Sequence, residues 1–520
     1  MDSLLFDEDD ELEVEEAEQG SRGANARDQG EDASEETSSD TEETITIPRA
    51  SHLSRLFEQF MASVRSPVLS TRSDYERYTN SWVDISNPVG VALLRSGEFG
   101  VVEDDENRNL CHKLYIRETR ARHFPRELLM KSFLPNSRAK VLTRYPARAY
   151  SGQYSQDGSL FYTCCQDFRV HIYDATDPIK LKPKKTITGD IGRWTITDAN
   201  LSANNDWIAY TSITSVAYIA KTAVGDDLRV PLDFSSRGML DFGLWSIRFS
   251  SDSRELIAGS NNCNIYVYDI ESRRVVLQIE GHHDEVNAVC FADESSNILY
   301  SGSDDTFIKV WDRRSMRNEK PSGVLVGHLE GITYVSSKGD GRYCLSNSKD
   351  QTMKLWDIRK MVSADRFRSE RLVAHMEERR GTLDLRWDYR YMPYPGDPDE
   401  RHPHDVSVMT YRGHSVLKTL IRCHFSPVHT TGQRYVYSGS EDGHVRIYSI
   451  DGRTVRRLDT ATEADARSRT SNRYYPSSHP TARDVSWHPY LPVIASTSWS
   501  GSRGATGTIV AHTYEDQSQN

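Results

Sequence analysis

From about residue 150 to the end of the chain, apolar and polar positions alternate with period two in short runs, each closed by Gly, Asp, Asn or Ser. That alternation predicts strands separated by tight turns. The clearest unit reads Val286–Phe291, Ile298–Ser303 and Thr306–Asp312, and its neighbour reads Ile332–Val335, Tyr343–Ser348 and Met353–Asp357. The aromatic of the third run sets the period: Tyr173, Tyr218, Tyr268, Trp311 and Trp356 follow one another at 45, 50, 43 and 45 residues. Such a period belongs to the blades of a β-propeller. Tyr448 comes 92 residues after Trp356, one blade plus an excess. The excess reads as an insertion over about 361–404 between the third and fourth strands of one blade, with Val406–Tyr411 as that fourth strand. A last unit, Asp484–Pro489 to Ile509–Tyr514, brings the count to seven.

Gly281-His282, Gly327-His328 and Gly413-His414 mark unit boundaries, and Asp167, Asn262, Asp305, Asp350 and Asp442 each stand six positions before a third-strand aromatic. These are the signatures of WD40 repeats. The expected fold is all-β: a seven-bladed WD40 β-propeller over 141–515. Within a blade the buried His, a second-strand Ser, the turn Asp and the Trp are expected to form a hydrogen-bonded chain. The two sets are His282, Ser303, Asp305 and Trp311, and His328, Ser348, Asp350 and Trp356. They resemble a catalytic triad only superficially, because they recur once per blade as structural residues do. No catalytic residue is assigned and no enzyme activity is expected.

Ahead of the repeats the pattern changes. Leu53, Leu56, Phe57, Phe60, Met61 and Val64 recur at helical spacing behind Ser51, which predicts one amphipathic helix over 51–64. A weaker helix is expected over about 125–133, inside a helical or irregular segment spanning 48–140. Residues 1–47 hold 18 acidic and 2 basic side chains, so they dominate the net charge of −12. So few apolar groups cannot offset the entropy of ordering, and a disordered acidic tail is expected. The remainder, with 62 basic and 58 acidic residues, is near neutral and offers no basic surface for direct nucleic-acid binding. No apolar run approaches a membrane span, and the acidic start is unlike a signal peptide. Seven cysteines without a C-x-x-C pair fit a reducing compartment better than a disulfide framework. His282-His283 and His402-Pro-His404 lack partners at zinc spacing, so no metal or cofactor is expected. Gly501–Gly507 lacks the ending of a phosphate loop.

Two consecutive blades end their third strand as Trp-Asp-x-Arg, at Trp311-Asp312-Arg313-Arg314 and Trp356-Asp357-Ile358-Arg359; the units ending Tyr268-Asp-Ile-Glu271, Tyr173-Asp-Ala-Thr176 and Tyr448-Ser-Ile-Asp451 do not. An Arg just past a buried Trp is anchored by the blade while its planar fork projects toward a partner's carboxylates or carbonyls. On the residues alone, the fork can equally serve its own blade. Here the chain resembles the cullin-four-associated WD40 receptors, whose Trp-Asp-x-Arg boxes dock on the adaptor called damage-specific DNA-binding protein one. In that family a short helix ahead of the propeller inserts into an adaptor groove, which the resemblance assigns to Leu56, Phe57, Phe60 and Met61. Tyr150–Ser159, Cys165–Arg169, Arg193–Asn200, Ser346–Thr352 and Asp484–Pro489 narrow the likeness to the WD repeat-containing protein twenty-three subfamily, over about residues 110 to 515.

The resemblance implies a non-catalytic substrate receptor of a cullin-four RING ubiquitin ligase, found in nucleus and cytoplasm. Arg314, Arg359, Asp312 and Asp357 would hold the adaptor, and stress-response transcription factors would stand among the clients. The competing reading is a scaffold propeller in RNA processing or chromatin assembly, with purely structural arginines. Placed between third and fourth strands, the insertion is expected to emerge beside Arg314 and Arg359 and widen the adaptor contact.

Overall fold

A computed structural model of the chain describes residues 81–100, 133–189, 194–235, 242–315, 320–369, 387–397, 399–462, 480–500 and 506–516, with a few isolated positions besides. The acidic tail, the Ser51–Val64 helix with Leu56, Phe57, Phe60 and Met61, and nearly all of segment 125–133 lie outside the described residues. Everything below concerns the unit Arg65–Asn520.

Seven four-stranded antiparallel sheets form the blades. Blade one comprises Ala149–Tyr154, Leu160–Cys165, Arg169–Asp174 and Lys182–Thr188, and blade two Ile196–Leu201, Trp207–Ser212, Val216–Lys221 and Arg229–Asp233. Blade three comprises Leu244–Phe249, Glu255–Ser260, Asn264–Asp269 and Arg274–Glu280, and blade four Ala288–Phe291, Ile298–Gly302, Ile308–Asp312 and Gly323–Leu325. Blade five is built from Ile332–Ser337, Tyr343–Ser348, Met353–Asp357 and Met409–Tyr411, and blade six from Cys423–Phe425, Tyr435–Ser438, His444–Ser449 and Thr454–Asp459. Inner strands are covered on both faces by neighbouring blades, so Leu160–Cys165 and Tyr343–Ser348 are buried throughout. Outer strands face water: Lys182–Thr188 buries only Ile187 fully. That burial gradient explains why second and third strands are the legible part of each repeat.

Blade seven takes three strands from the end of the chain, Thr481–Trp487, Val493–Ser500 and Thr506–Thr513. Its fourth comes from before the repeats: Lys140–Tyr145 pairs antiparallel with Thr506–Thr513, Lys140 opposite Ala511 and Tyr145 opposite Gly507. The ring is thus closed by hydrogen bonds between residues some 370 positions apart, while each blade keeps a short outer edge. Nothing local in Lys-Val-Leu-Thr-Arg-Tyr names its partner, and the period-two pattern starts only at Tyr150.

Because strands alternate in direction, first and third strands of every blade finish at one end of the propeller, here called lower, and second and fourth strands finish at the upper end. The turns between second and third strands share one backbone device. Phe168, Cys263, Thr306, Gln351 and Gly443 all take positive φ, between 58° and 80°, directly after Asp167, Asn262, Asp305, Asp350 and Asp442. In three of these turns the Asp accepts a bond from the amide two residues on, Phe307 at 3.1 Å, Thr352 at 2.9 Å and His444 at 3.2 Å.

The segment between the third and fourth strands of blade five emerges at the lower end as expected, but its described residues do not all stay beside the arginines. It leaves the lower end through a 3₁₀ turn, Ile358–Lys360. It then pairs Val362 with Val324 at 2.8 Å on the outer strand of blade four. The helix α1 (Ala364–Ser369) sets Phe367 edge-on against Phe307, with centroids 4.9 Å apart. Farther along, the Lys418 amide donates to the Tyr389 carbonyl at 2.9 Å, Lys349 lies over the Tyr389 ring at 4.4 Å, and Tyr394 packs with Leu417. Phe307, Lys349 and Lys418 all belong to upper turns. The apolar side chains Phe367, Tyr389 and Tyr394 find their burial there and carry the segment over the blade's flank.

Candidate partner-docking site

The arginine boxes stand on the two blades with the fullest polar chains. In blade four, Trp311 Nε1 donates to Ser301 Oγ at 2.8 Å, Ser301 Oγ meets His282 Nε2 at 2.7 Å, and His282 Nδ1 meets Asp305 Oδ2 at 2.8 Å. Blade five repeats this with Trp356, Ser346, His328 and Asp350 at 2.8, 2.7 and 2.9 Å. Burial lowers the pKa of His282, and in each chain the indole N–H can only donate while the carboxylate can only accept. One consistent donor order results: indole N–H to serine, serine O–H to Nε2, and Nδ1–H to carboxylate. Burial alone would raise the Asp305 carboxyl, but His282 and Lys309 hold it below the usual range.

The bridging serines are therefore Ser301 and Ser346, not Ser303 and Ser348. The two candidates in each blade lie two apart, on the same side of a strand, so alternation does not separate them. Ser303 has left the strand, which ends at Gly302; its hydroxyl donates to the Asp284 carbonyl at 2.9 Å and accepts from the Asp305 amide at 3.1 Å. Ser348 does the same with Glu330 and Asp350. Replacing Ser301 or Ser346 by Ala orphans a buried imidazole nitrogen and an indole N–H together. Chemical denaturation should show a loss of about 1–3 kcal/mol for each. A loss below about 0.5 kcal/mol would mean the chain contributes little.

Both boxes adopt one geometry at the lower end. Arg314 donates through Nε to Asp312 Oδ1 at 2.9 Å and through Nη2 to Asp312 Oδ2 at 2.8 Å. Arg359 donates through Nε to Asp357 Oδ1 at 3.1 Å and through Nη2 to Asp357 Oδ2 at 2.8 Å. Each Asp also accepts the Arg amide at 3.0 Å, so backbone and fork are locked together. The arginine side chains remain 63% and 64% exposed. The fork thus serves its own blade along one edge and still faces solvent, which joins the two readings left open by the residues alone. The hydrogen bond from Arg314 holds the Asp312 carboxyl below its usual range.

The two boxes differ in their surroundings. Asp312 is a quarter exposed, whereas Asp357 is 5% exposed and is also bound by Arg342, at 3.2 Å through Nε and 3.0 Å through Nη2. Arg342 in turn pairs with Glu98, which accepts from the Tyr343 hydroxyl at 2.6 Å. Glu98 follows a second helix, α2 (Pro88–Arg95), capped by the Asn87 side chain on the Val89 amide at 2.9 Å. Gly90 lets α2 lie on blade six, since a Cβ there would sit 2.5 Å from Asp451 Cα. Phe99 is buried against Tyr343, 4.9 Å between centroids. This strap leaves Trp82, Ile85 and Val89 exposed at 51%, 84% and 48%. Sequence reasoning missed α2, Glu98 and Arg342; the Asn87-Pro88 cap was the available signal.

A second concentration of charge lines the axis. Arg422, just before the first strand of blade six, reaches Asp198 of blade two at 2.8 Å and Asp484 of blade seven at 3.3 Å. Arg248 of blade three pairs with Asp198 and donates to the Tyr334 hydroxyl of blade five at 2.8 Å. Gln153 and His424 complete the shell of Asp484 at 2.7 and 3.2 Å.

Known proteins match this architecture. The family described as WD domain, G-beta repeat matches residues 237–269, 273–312, 319–357 and 405–449. The LEC14B protein of Lithospermum erythrorhizon is 44% identical over 384 residues, 71% of this chain and 74% of its own. The chain belongs to the LEC14B family of WD40-repeat proteins. Another member, the LEC14B homolog of Prunus armeniaca, is 41% identical over 72% of this chain and 75% of its own. A protein of Caenorhabditis elegans named DDB1- and CUL4-associated factor 11 homolog is 34% identical over 72% of this chain and 63% of its own. The kinship of this LEC14B-type chain thus reaches proteins whose name records a cullin-four association, as the subfamily resemblance implied.

Proposed function

We propose that the chain is a non-catalytic substrate receptor of a cullin-four RING ubiquitin ligase, holding the damage-specific DNA-binding protein one adaptor at the lower end of the propeller. The observation that carries this is the paired box geometry: two adjacent blades present the same Asp-locked, solvent-facing guanidinium. A fork fixed on one edge loses little side-chain entropy on docking, and its remaining donors suit carbonyl or carboxylate acceptors. The exposed Trp82, Ile85 and Val89 of the strap offer apolar contact. Leu56, Phe57, Phe60 and Met61 act as anchors of a helix in an adaptor groove. Clients, with stress-response transcription factors among them, bind elsewhere on the propeller, and the recruited ligase modifies their lysines. Residence in nucleus and cytoplasm is part of the same reading.

The test is a pulldown from purified components. The full chain should retain the adaptor at one-to-one stoichiometry and bring cullin four with it. A chain that is folded by circular dichroism and binds no adaptor would overturn the proposal in favour of a scaffold with other partners.

A further inference from the structure

Blade one departs from its neighbours at one spot. In blades four, five and six the position two before the turn Asp is a serine, Ser303, Ser348 and Ser440, and the position four after it is a cation, Lys309, Lys354 and Arg446. Two of these cations approach the turn carboxylate directly, Lys309 at 3.8 Å and Arg446 at 2.6 Å. Around Asp167 of blade one the same positions hold Cys165 and His171. A pair that elsewhere neutralises charge has become a thiol, a carboxylate and an imidazole on one turn. Their ligand atoms lie within 4.8 Å of one another.

The cluster is also unsatisfied. Asp167 Oδ1 and His171 Nε2 are both shielded from solvent and neither has a hydrogen-bond partner. Asp167 leans outward through its other oxygen, 3.5 Å from Arg169. His171 Nδ1 is engaged by Thr186 Oγ1 at 3.1 Å, which orients the ring and leaves Nε2 as its ligand atom. The Tyr145 ring stacks on the imidazole, with centroids 4.8 Å apart and 25° between planes. Two orphaned polar atoms beside a buried sulfur cost stability unless something joins them.

We propose that Cys165 Sγ, Asp167 Oδ1 and His171 Nε2 form a zinc site, with a fourth position open to water. Sulfur, nitrogen and oxygen donors in a set of three suit a borderline-soft divalent ion with tetrahedral preference. Bonds of about 2.0–2.3 Å place ligand atoms about 3.5 Å apart, so the cluster closes by side-chain rotation of about 1 Å. Thr186 is the outer partner that metal-bound imidazoles use for orientation. As the zinc–sulfur bond forms, the Cys165 proton passes to solvent. Since Tyr145 lies on the ring-closing strand, the bound ion stiffens the seam between blades seven and one. Sequence reading passed over the trio because Asp167 was accounted for as a blade residue and Cys-x-Asp-x₃-His is not a familiar zinc spacing.

The experiment uses the full chain, stripped by chelator and then titrated with Zn²⁺ by calorimetry and with Co²⁺ by absorbance. Wild type should take up one equivalent, raise its melting temperature, and show a thiolate-to-cobalt charge-transfer band in the near ultraviolet. Cys165→Ser should abolish the band, and His171→Gln should weaken zinc uptake at least tenfold. Thr186→Val, which leaves all three ligands in place, should weaken it about 10–100-fold. Melting of each metal-free variant reports folding separately. No uptake by wild type, or uptake with a thiolate band that survives Cys165→Ser, would overturn the site.

Discussion

Replacing Arg422 by Met should destabilise the propeller by about 3–5 kcal/mol, the cost typical of removing one partner from a buried ion pair. The side chain bridges Asp198 and Asp484 across the axis, and these carboxylates are 1% and 0% exposed. Both also accept backbone amides, Asp198 from Ile247 at 3.0 Å and Asp484 from Gly152 at 3.1 Å. Those amides keep the acids in place when the guanidinium is gone, leaving charge that cannot turn toward water. Burial alone would raise both carboxyls, but Arg248 and Arg422 hold Asp198 below the usual range and Arg422 with His424 does so for Asp484. Because the bridge joins blades two, six and seven, its loss should lower the thermal midpoint of the whole ring rather than fray one blade. Arg422→Lys should recover part of the loss, since one ammonium cannot serve two carboxylates through a fork. Adding Asp484→Asn to Arg422→Met should recover more, because the orphaned charge is then absent while Asp198 stays paired with Arg248. A single Arg422→Met variant within about 1 kcal/mol of wild type would show that the axis is hydrated enough to screen the acids.

None of that network was legible in the sequence. Asp198 and Arg422 stand 224 positions apart, one on the first strand of blade two and the other just before that of blade six, and nothing in either stretch names the other. What was legible is what repeats: the third-strand aromatics and the turn Asp recur because every blade solves the same packing problem. The matched repeat segments lie between 237 and 449, where the Trp and Gly-His signatures are fullest; blade two, with Tyr218 and Ser212, was recognised by spacing alone. Ring closure by Lys140–Tyr145 escaped because a strand carries no record of a distant partner. The serine register slipped by two because Ser301 and Ser303 share a strand face, and only the strand's end separates them. The insertion's later course was not legible for a related reason. Its point of origin is topological and was read correctly, whereas its path is set by where Phe367, Tyr389 and Tyr394 find apolar cover. For the docking boxes, sequence supplied Arg314 and Arg359 but not the asymmetry that Arg342 and Glu98 impose on Asp357.

That asymmetry decides how the receptor reading is best tested by mutation. Removing Asp357 would also release Arg342 from one of its two carboxylate partners, so lost binding could follow from a loosened blade five. Removing the arginines disturbs far less within the chain, because both are nearly two-thirds exposed. Exposed ion pairs contribute about 0–1 kcal/mol, so Arg314→Ala/Arg359→Ala should melt close to wild type. Binding should respond very differently. A desolvated interfacial arginine commonly costs about 2 kcal/mol or more on truncation, roughly thirtyfold in affinity. On the receptor reading two forks on adjacent blades would engage one rigid partner together, so the double substitution should weaken adaptor binding by at least a hundredfold, with each single falling between. Arg→Lys at either box should recover little, since Lys cannot be held along one edge by the neighbouring Asp while presenting further donors. Calorimetric titration of the purified adaptor into each variant, beside its melting curve, separates the two ideas. Binding lost at unchanged stability assigns the forks to the adaptor; a fall in melting temperature with adaptor affinity intact returns them to their own blades and leaves docking to the strap and helix.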